Sequence, residues 1–183
     1  MYFYINQFRQ INNYSRNDAV RYAKTYAINP NPAYRYFSVH EVGGGDCSNF
    51  ISQCLHAGGA QMDFSSNWPW WYKRGNLNNY NGDTWSMSWT VAHSLYWTLK
   101  SRGALSLPGI KAAEVSDVSI LDLGDVIQYE EEIGRIIHSA IITAFTYYGG
   151  VKTPLVSHHT SNSLNAPYLK PWAKKMHFMK ISI

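Results

Sequence analysis

The sequence predicts an α+β domain in which an antiparallel sheet follows a helical first half. Apolar residues in the N-terminal half recur at three- and four-residue spacing, which is typical of amphipathic helices. Towards the C-terminus the pattern changes to short runs rich in β-branched and aromatic residues, which is typical of strands. Helices followed by strands favour the α+β class. Neither a repeat nor a linker divides the chain, so we predict one domain over residues 1–183.

The helical pattern predicts three helices. The first covers 16–27 and stops before the Asn29-Pro30 pair, because proline cannot continue a helix. The second begins at Cys47, with Asp46 at the N-cap position, and is closed by Gly58-Gly59. The third spans 88–102 and ends at Gly103.

The remaining residues are predicted as loops and strands. A long loop is expected over 60–87, where aromatic residues alternate with turn formers. Four strands are predicted, at 123–129, 135–146, 155–160 and 176–183. Asp125 follows a glycine at the start of the first strand, and we expect its side chain to stabilise that turn through a hydrogen bond.

Composition and charge exclude several classes of protein. With 45% hydrophobic and 15% charged residues, the chain has the composition of a folded domain. The net charge of +4 comes without a run of five basic residues or a nucleic-acid-binding motif, so no nucleic-acid partner is expected. The sequence contains no stretch of 18 apolar residues, so no membrane span is predicted. The N-terminus lacks signal-peptide features, so we expect an intracellular protein or a domain of a larger secreted or cell-wall protein.

The segment GGGDCSNFISQC carries the sharpest chemical signal. A thiol in the first turn of a helix faces unpaired backbone N–H groups and the positive end of the helix dipole, which predicts a lowered pKa for Cys47. The glycines at 43–45 let a substrate approach closely, and the Cys47 amide could hold an oxyanion. The competing interpretation is a small buried hydrophobe, which suits Cys54 better. On one helix Cys47 and Cys54 are about 10 Å apart along the axis, so no disulfide is expected.

A nucleophilic cysteine requires a base, and His138 is the candidate. It lies in IGRIIHSAIITAF, a run that otherwise predicts a buried strand, so its imidazole needs a polar partner. His158 and His159 follow on the next strand; because successive strand residues face opposite ways, only one of them can meet His138. Asn162 is a further candidate for orienting the base.

A zinc site is the natural rival. No C-x-x-C, H-E-x-x-H or comparable ligand pair occurs, so neither a metal nor a cofactor is expected. The other histidines show no pairing pattern and are interpreted as structural or exposed: His40, His56, His93 and His177.

Taken in order, these segments resemble the putative amidase domain family of bacteria, a branch of the papain-like, NlpC-like cysteine hydrolases. The block DCSNFISQCLHAGG at 46–59 is similar to the family's DCTNFVSQCLxAGG. The flanking similarities cover most of the chain: Asp18 to Ala23, Asn31 to Tyr34, Trp71-Tyr72, Trp89, Gly124 to Val126, His138 to Ala140, and His159-Thr160 with Asn162.

The resemblance implies a papain-like core in which the helix carrying the cysteine packs on an antiparallel sheet. It implies Cys47 as nucleophile, His138 as base and His159 as the residue that orients the base. Asp46 and Asn49 belong to the signature block; we expect Asp46 to cap the helix and Asn49 to hold local backbone. The glycine run and the doubled histidine depart from the family pattern and leave the third residue open among His159, His158 and Asn162.

The implied reaction is acyl transfer through a thioester at the cysteine. The implied substrate is an amide or peptide bond, plausibly in peptidoglycan, inherited from the wider superfamily. Trp70, Trp71 and Tyr72 either line the cleft or pack in the core. Two alternatives stay open: a non-catalytic module that binds cell wall or a partner, and an acyltransferase or transglutaminase-like enzyme. The sequence gives no oligomeric state.

Overall fold

The computed structural model describes residues 13–40, 44–65, 67–76 and 79–183. Gly43, the first residue of the glycine run at 43–45, lies outside these residues. The described helices are α1 (Arg16–Tyr26), α2 (Cys47–Ala57), α3 (Met87–Thr90) and α4 (Ala92–Ala104). The described strands are β1 (Tyr72–Lys73), β2 (Thr84–Trp85), β3 (Lys111–Val115), β4 (Val126–Glu130), β5 (Ile136–Tyr148), β6 (Val151–His158), β7 (Ser163–Pro167) and β8 (Lys175–Ser182).

Strands β3 to β8 form one six-stranded sheet with the order β3-β8-β4-β5-β6-β7. Every neighbouring pair in this sheet is antiparallel. The predicted α+β class with an antiparallel sheet is therefore confirmed. The small β1–β2 hairpin lies within the segment that the sequence predicts as loop.

Helix α2 is the central helix of the core. Phe50, Ile51, Cys54 and Leu55 are fully buried, and burying each of the three larger side chains contributes roughly 1.5–3 kcal/mol. Its polar positions are buried as well and must find partners. The Ser52 hydroxyl, for example, donates to the carbonyl of Trp89 at 3.0 Å. Contact on all sides holds α2 in one position over the sheet.

The two faces of β5 serve different layers. Ile141 packs in the apolar cluster that α2 shares with the other helices, while Ala140 and Ile142 pack in a second cluster. Ser139 faces α2, since its hydroxyl lies 3.3 Å from the Ser48 hydroxyl. Alternation along the strand therefore directs His138 to the opposite face, together with Ala140 and Ile142.

The start of β4 is tied to the rest of the fold by a buried carboxylate. Asp125 is fully buried and forms a 2.6 Å ion pair with Arg16 of α1. Its other oxygen accepts from the N–H of Asp122 at 2.8 Å, which is the turn hydrogen bond expected from the sequence. The main-chain N–H of Ile181 on β8 adds a third contact at 2.8 Å.

Besides the β1–β2 hairpin and the earlier start of β6 at Val151, the structure differs from the predicted elements at Val91, β3 and β7. The helix predicted over 88–102 is interrupted at Val91, which has an extended backbone and separates α3 from α4. Strands β3 and β7 were not predicted, because KAAEV has low intrinsic β-propensity and SLNAP carries a proline. Both are edge strands, so pairing with one neighbour, β8 or β6, determines their conformation.

Candidate active site

Cys47 is the first residue of α2, and its side chain reaches the main chain of β5. Its Sγ accepts a hydrogen bond from the backbone of Ser139, the residue after His138. The Ser48 hydroxyl lies 3.9 Å from the same sulfur. Cys47 is 4% exposed, so the thiol is close to fully buried in this state.

An opening in the sheet allows this contact. Ser139 pairs with Gln128 of β4 on one side. On its other side the pairing with β6 reaches only as far as the Ile141–Ser157 rung, so the backbone of Ser139 has no strand partner there. The N-terminus of α2 occupies that place, which puts the thiol beside the histidine-bearing strand.

A chain of polar side chains continues from Cys47 into the core. From Ser48 it passes to Ser139, whose hydroxyl accepts from Gln128 Nε2 at 2.9 Å. The same Nε2 donates to the carbonyl of Ala92 at 3.1 Å. These bonds fix the Ser139 backbone that faces the sulfur. Within the described residues the buried Gln128 Oε1 has no partner.

The predicted lowered pKa of Cys47 is wrong. Burial raises the pKa of this thiol, and hydrogen bonds from Ser139 and Ser48 offset that effect only in part. The neighbouring Asp46 carboxylate raises the pKa further. The positive end of the helix is therefore not sufficient to create a thiolate in a site from which water is excluded. The resting cysteine is a neutral thiol.

His138 lies at the open end of β5 and is 8% exposed. Its ring packs edge-to-face on His158, with 4.7 Å between the ring centroids, and Trp172 lies 6.0 Å away. Burial, followed by the charges of His158 and Lys170, lowers the pKa of His138 to about 3. Within the described residues no hydrogen bond joins its imidazole to Cys47 or to any other group. The thiol of Cys47 and the imidazole of His138 are thus both neutral, and no hydrogen bond joins them.

Of the three candidates for orienting the base, the structure brings His158 to His138. His158 Nδ1 lies 3.3 Å from the carbonyl oxygen of His159, and its Nε2 lies 3.3 Å from Lys170 Nζ. Burial and the charge of Lys170 lower the pKa of His158 to about 4. Asn162 points elsewhere, because its Nδ2 donates to the carbonyl of Ile28.

His159, which the resemblance implies as the orienting residue, lies at a different place. Its Nδ1 is 2.5 Å from the Asp46 carboxylate and its Nε2 is 2.7 Å from the carbonyl oxygen of Tyr26. Its ring stacks on Phe50 with 4.0 Å between centroids. These contacts fasten the end of β6 to α1 and α2 and do not involve His138.

Asp46 and Asn49 organise the backbone around the start of α2. Asp46 makes no side-chain capping bond, so the expected N-cap interaction is absent. Its carboxylate instead accepts from the N–H of Phe37 at 2.9 Å and from Asn49 Nδ2 at 2.8 Å. Asn49 Nδ2 also donates to the carbonyl of Arg35 at 2.9 Å. Both side chains therefore hold the chain segment that precedes the glycine run.

A cavity of about 350 Å³ opens beside His138. Its lining residues are Ile137, His138, His158, Thr160, Ser161, Lys170 and Trp172. Thr160 connects it to the cysteine, because its hydroxyl accepts from the N–H of Asp46 at 3.1 Å. Thr160, Lys170 and Trp172 belong to the site but are not predicted from the sequence. No spacing reveals them, since the loop after β7 brings Lys170 and Trp172 back to the sheet.

The aromatic residues proposed for the cleft lie away from this cavity. Trp70 is fully buried and donates from Nε1 to Ser52, and Tyr72 is 4% exposed and hydrogen-bonds Asp83. Both belong to the helical core. Trp71 is half-buried and stacks on Phe64 with 5.2 Å between ring centroids. The interpretation as core packing therefore holds for Trp70 and Tyr72.

The described residues contain neither a metal-binding cluster nor a membrane-spanning helix. No group of three or more His, Cys, Asp or Glu side chains there is arranged to hold a metal ion. No helix in the same residues combines the length and the apolar character that crossing a bilayer requires. The two cysteines are both buried and unbridged.

Comparison with known proteins identifies the class. The model of the putative amidase domain family matches residues 13–182, and the chain therefore belongs to that family. The name of the family indicates hydrolysis of amide bonds. Two relatives from Bacillus subtilis (strain 168) have been given no function. The chain is 42% identical to the uncharacterized protein YhbB over 134 residues, and 31% identical to the uncharacterized protein YjcM over 170 residues.

These alignments cover 72% and 86% of this chain but only 37% and 33% of the relatives. The chain thus spans about a third of the length of the curated relatives that it matches. No solved structure matches the chain significantly.

Proposed function

We propose that this domain is a cysteine amidase or peptidase with a papain-like arrangement of Cys47, His138 and His158. One observation carries the proposal: the thiol at the first turn of α2 is hydrogen-bonded to the backbone of Ser139, directly beside His138. The imidazole of His138 in turn packs against a second histidine at the edge of an open cavity. Nucleophile, base and a third polar residue are the components that covalent acyl transfer requires.

The resting state defines how the reaction begins. Because thiol and imidazole are both neutral, His138 removes the thiol proton as Sγ attacks the carbonyl carbon, and no preformed ion pair is needed. The C–S bond forms while the carbonyl electron pair moves to oxygen. Within the described residues the main-chain N–H of Cys47 has no partner, so it is available as a donor to that oxyanion.

Collapse of the tetrahedral intermediate completes acylation. The C–N bond breaks, and His138 delivers its proton to the departing amine. Water then attacks the thioester with His138 again acting as base, which releases the acid and restores the thiol. The backbone carbonyl of His159 and the ammonium of Lys170 hold His158 in one orientation, and His158 limits the rotation of the His138 ring.

The proposed substrate class is a peptide or amide bond, with the peptides of peptidoglycan as the first group to screen. The name of the family supports an amide substrate. The choice of cell-wall peptides rests on the resemblance to NlpC-like hydrolases.

The test compares alkylation of the two thiols by iodoacetamide, followed by peptide mass mapping. Cys47, which is 4% exposed at the start of α2, should react faster than Cys54, which is 0% exposed and has a pKa well above the ordinary range. The Cys47 rate should rise only at alkaline pH, because burial raises its pKa as well. Cys54→Ser is the matched control for Cys47→Ser. If the Cys47 thiol does not react at any pH from neutral to alkaline, the proposal is contradicted.

Product analysis separates hydrolysis from acyl transfer. A hydrolase releases free acid whether or not an amine is added, whereas a transferase forms a new amide when an amine is supplied. Both outcomes require Cys47, so the Cys47→Ser variant should yield neither product.

A second candidate is a non-catalytic binding module on the same fold. The observation that favours it is the buried, neutral thiol with no hydrogen bond to His138. Catalytic hydrogen bonds are often absent until substrate binds, so this geometry is compatible with both functions. A module of this kind would bind cell-wall fragments equally well after Cys47→Ala and would release no product in either form.

A further inference from the structure

Lys170 is a half-buried cation beside His138 that has no acidic partner in the part of the chain that the structure describes. Four lysines of the described chain form ion pairs with carboxylates, namely Lys100, Lys152, Lys174 and Lys180. Four others form none within the described residues but do not line this cavity, namely Lys24, Lys73, Lys111 and Lys175. Lys170 forms none within the described residues, and its one hydrogen-bonding contact is the Nε2 of His158 at 3.3 Å. The cavity that it lines contains neither aspartate nor glutamate.

Such a position is costly for an ammonium group. Removing a cation from water without a counter-ion is unfavourable, and burial accordingly lowers the pKa of Lys170. Its positive charge also disfavours protonation of His138 and His158. A structural lysine would be better placed against a carboxylate. An anion that enters the cavity would remove this cost.

The cavity offers a complete set of donors for an anion. An ammonium has three N–H groups, so the bond to His158 leaves two for a ligand. The Thr160 oxygen accepts from the N–H of Asp46, which leaves its own hydrogen available. Ser161 is an exposed residue that also lines the cavity and brings a second hydroxyl. A carboxylate is the simplest group that these donors match.

The position of the cavity indicates which part of the substrate enters it. Cys47 does not line the cavity, whereas His138 does. In the proposed reaction His138 delivers a proton to the departing nitrogen, so the groups attached to that nitrogen extend past His138. A volume of about 350 Å³ suits a single residue.

We infer that Lys170, with Thr160 and Ser161, forms a subsite for a carboxylate carried by the leaving amine of the substrate. The subsite rests on the proposed function for its role in catalysis. The substrate class is therefore an amide formed with the amino group of an amino acid whose carboxylate is free. The half-exposed Trp172 supplies the apolar wall against which the rest of that residue packs.

The first experiment uses two reagents that differ in charge. N-iodoacetylglycine and N-iodoacetylglycinamide alkylate the same thiol, but only N-iodoacetylglycine carries a carboxylate, which lies beyond the amide nitrogen as in the proposed substrate. At pH 8, where the imidazoles are neutral, the ratio of their rate constants at Cys47 should fall at least tenfold in Lys170→Met and further in Lys170→Glu. Lys174→Met is the matched control, because Lys174 is exposed and lies outside the cavity, and its ratio should equal that of wild type. An unchanged ratio in Lys170→Met would overturn the inference.

The second experiment does not depend on a reactive cysteine. In Cys47→Ser, binding of N-acetylglycine and N-acetylglycinamide is followed through the imidazole C–H resonances of His138 and His158. N-acetylglycine should bind at least tenfold more tightly, and Lys170→Met should abolish this preference. Equal affinities would overturn the subsite while leaving the hydrolase proposal intact. An unreactive Cys47 together with Lys170-dependent binding of N-acetylglycine would support the anion subsite and overturn the hydrolase.

Discussion

Two buried histidines on one sheet have opposite surroundings. His177 of β8 is 3% exposed and lies between two carboxylates, with Nδ1 2.6 Å from Glu114 and Nε2 2.7 Å from Glu130. His138 of β5 is 8% exposed, contacts no carboxylate of the described residues, and faces His158 and Lys170. Only β4 separates their strands.

The difference separates an imidazole held by structural hydrogen bonds from one that faces a cavity. Both ring nitrogens of His177 are occupied by hydrogen bonds, so the ring connects β3, β8 and β4 and has no position left for a substrate. His138 has no hydrogen bond within the described residues, and it borders a cavity. A residue that is buried but left without polar partners needs a functional reason, because burying a polar group is unfavourable.

The largest expected effect comes from replacing each of these two histidines by alanine and comparing activity with stability. His138→Ala should lower kcat/KM about 10³-fold with little change in stability, because it removes the general base. His177→Ala should lower the free energy of unfolding by about 2–3 kcal/mol, because two carboxylates lose their shared partner. Its activity per folded molecule should stay close to that of wild type. Urea denaturation and steady-state kinetics on both variants check this comparison, and a His177→Ala enzyme that folds but is inactive would contradict it.

A smaller effect distinguishes the adjacent histidines His158 and His159. His158→Gln should reduce kcat roughly 10–100-fold, which is typical for a partner that orients a reactive group. His159→Gln should mainly lower stability, because the ring bonds Asp46 and the carbonyl of Tyr26. Measuring kcat and the thermal midpoint for each variant separates the two roles. The opposite pattern would return the orienting role to His159.

The smallest effect is a pH-dependent stability at the His177 cluster. Burial opposes ionisation of Glu114, but hydrogen bonds from Lys100 and His177 outweigh it and lower its pKa to about 2. The folded-state pKa is below the unfolded value of 4.5, so this stabilisation is complete above pH 4.5 and is lost as the pH falls towards 2.

Glu114→Gln should therefore lower the free energy of unfolding by about 1–2 kcal/mol at pH 7, after allowance for partial exposure, and by much less near pH 2. Denaturation at both pH values measures the difference. A deficit that persists unchanged at low pH would show that the carboxylate charge is not its cause. Glu132→Gln is the control, because the side chain of Glu132 is 78% exposed.

Much of the candidate site could be predicted because it depends on local rules. The glycine run, Asp46 and the apolar stripe after Cys47 predict a helix that begins at the thiol, and α2 does begin at Cys47. Runs of β-branched residues likewise predict β5 and place His138 on a strand near its end. These features require only spacing and propensity, which the sequence contains in full.

The choice between His158 and His159 could not be made in this way. Strand alternation predicts that only one of them can face His138. Two irregularities in strand pairing change which of the two it is. The β5–β6 register shifts between Ile142 and Ala144, and the β6–β7 register shifts between Val156 and His158. A one-residue shift reverses which side chain faces which layer, so the pairing itself has to be known.

By itself, the sequence determined the class of fold, the helix that begins at Cys47 and the strand that carries His138. The tertiary structure decided the electrostatics: the raised pKa of the thiol, the neutral imidazoles and the position of Lys170 beside them. The physical reason is that periodicity is a property of neighbouring residues along the chain. Burial and charge instead depend on which distant segments are brought together, as the loop after β7 brings Lys170 within 3.3 Å of His158.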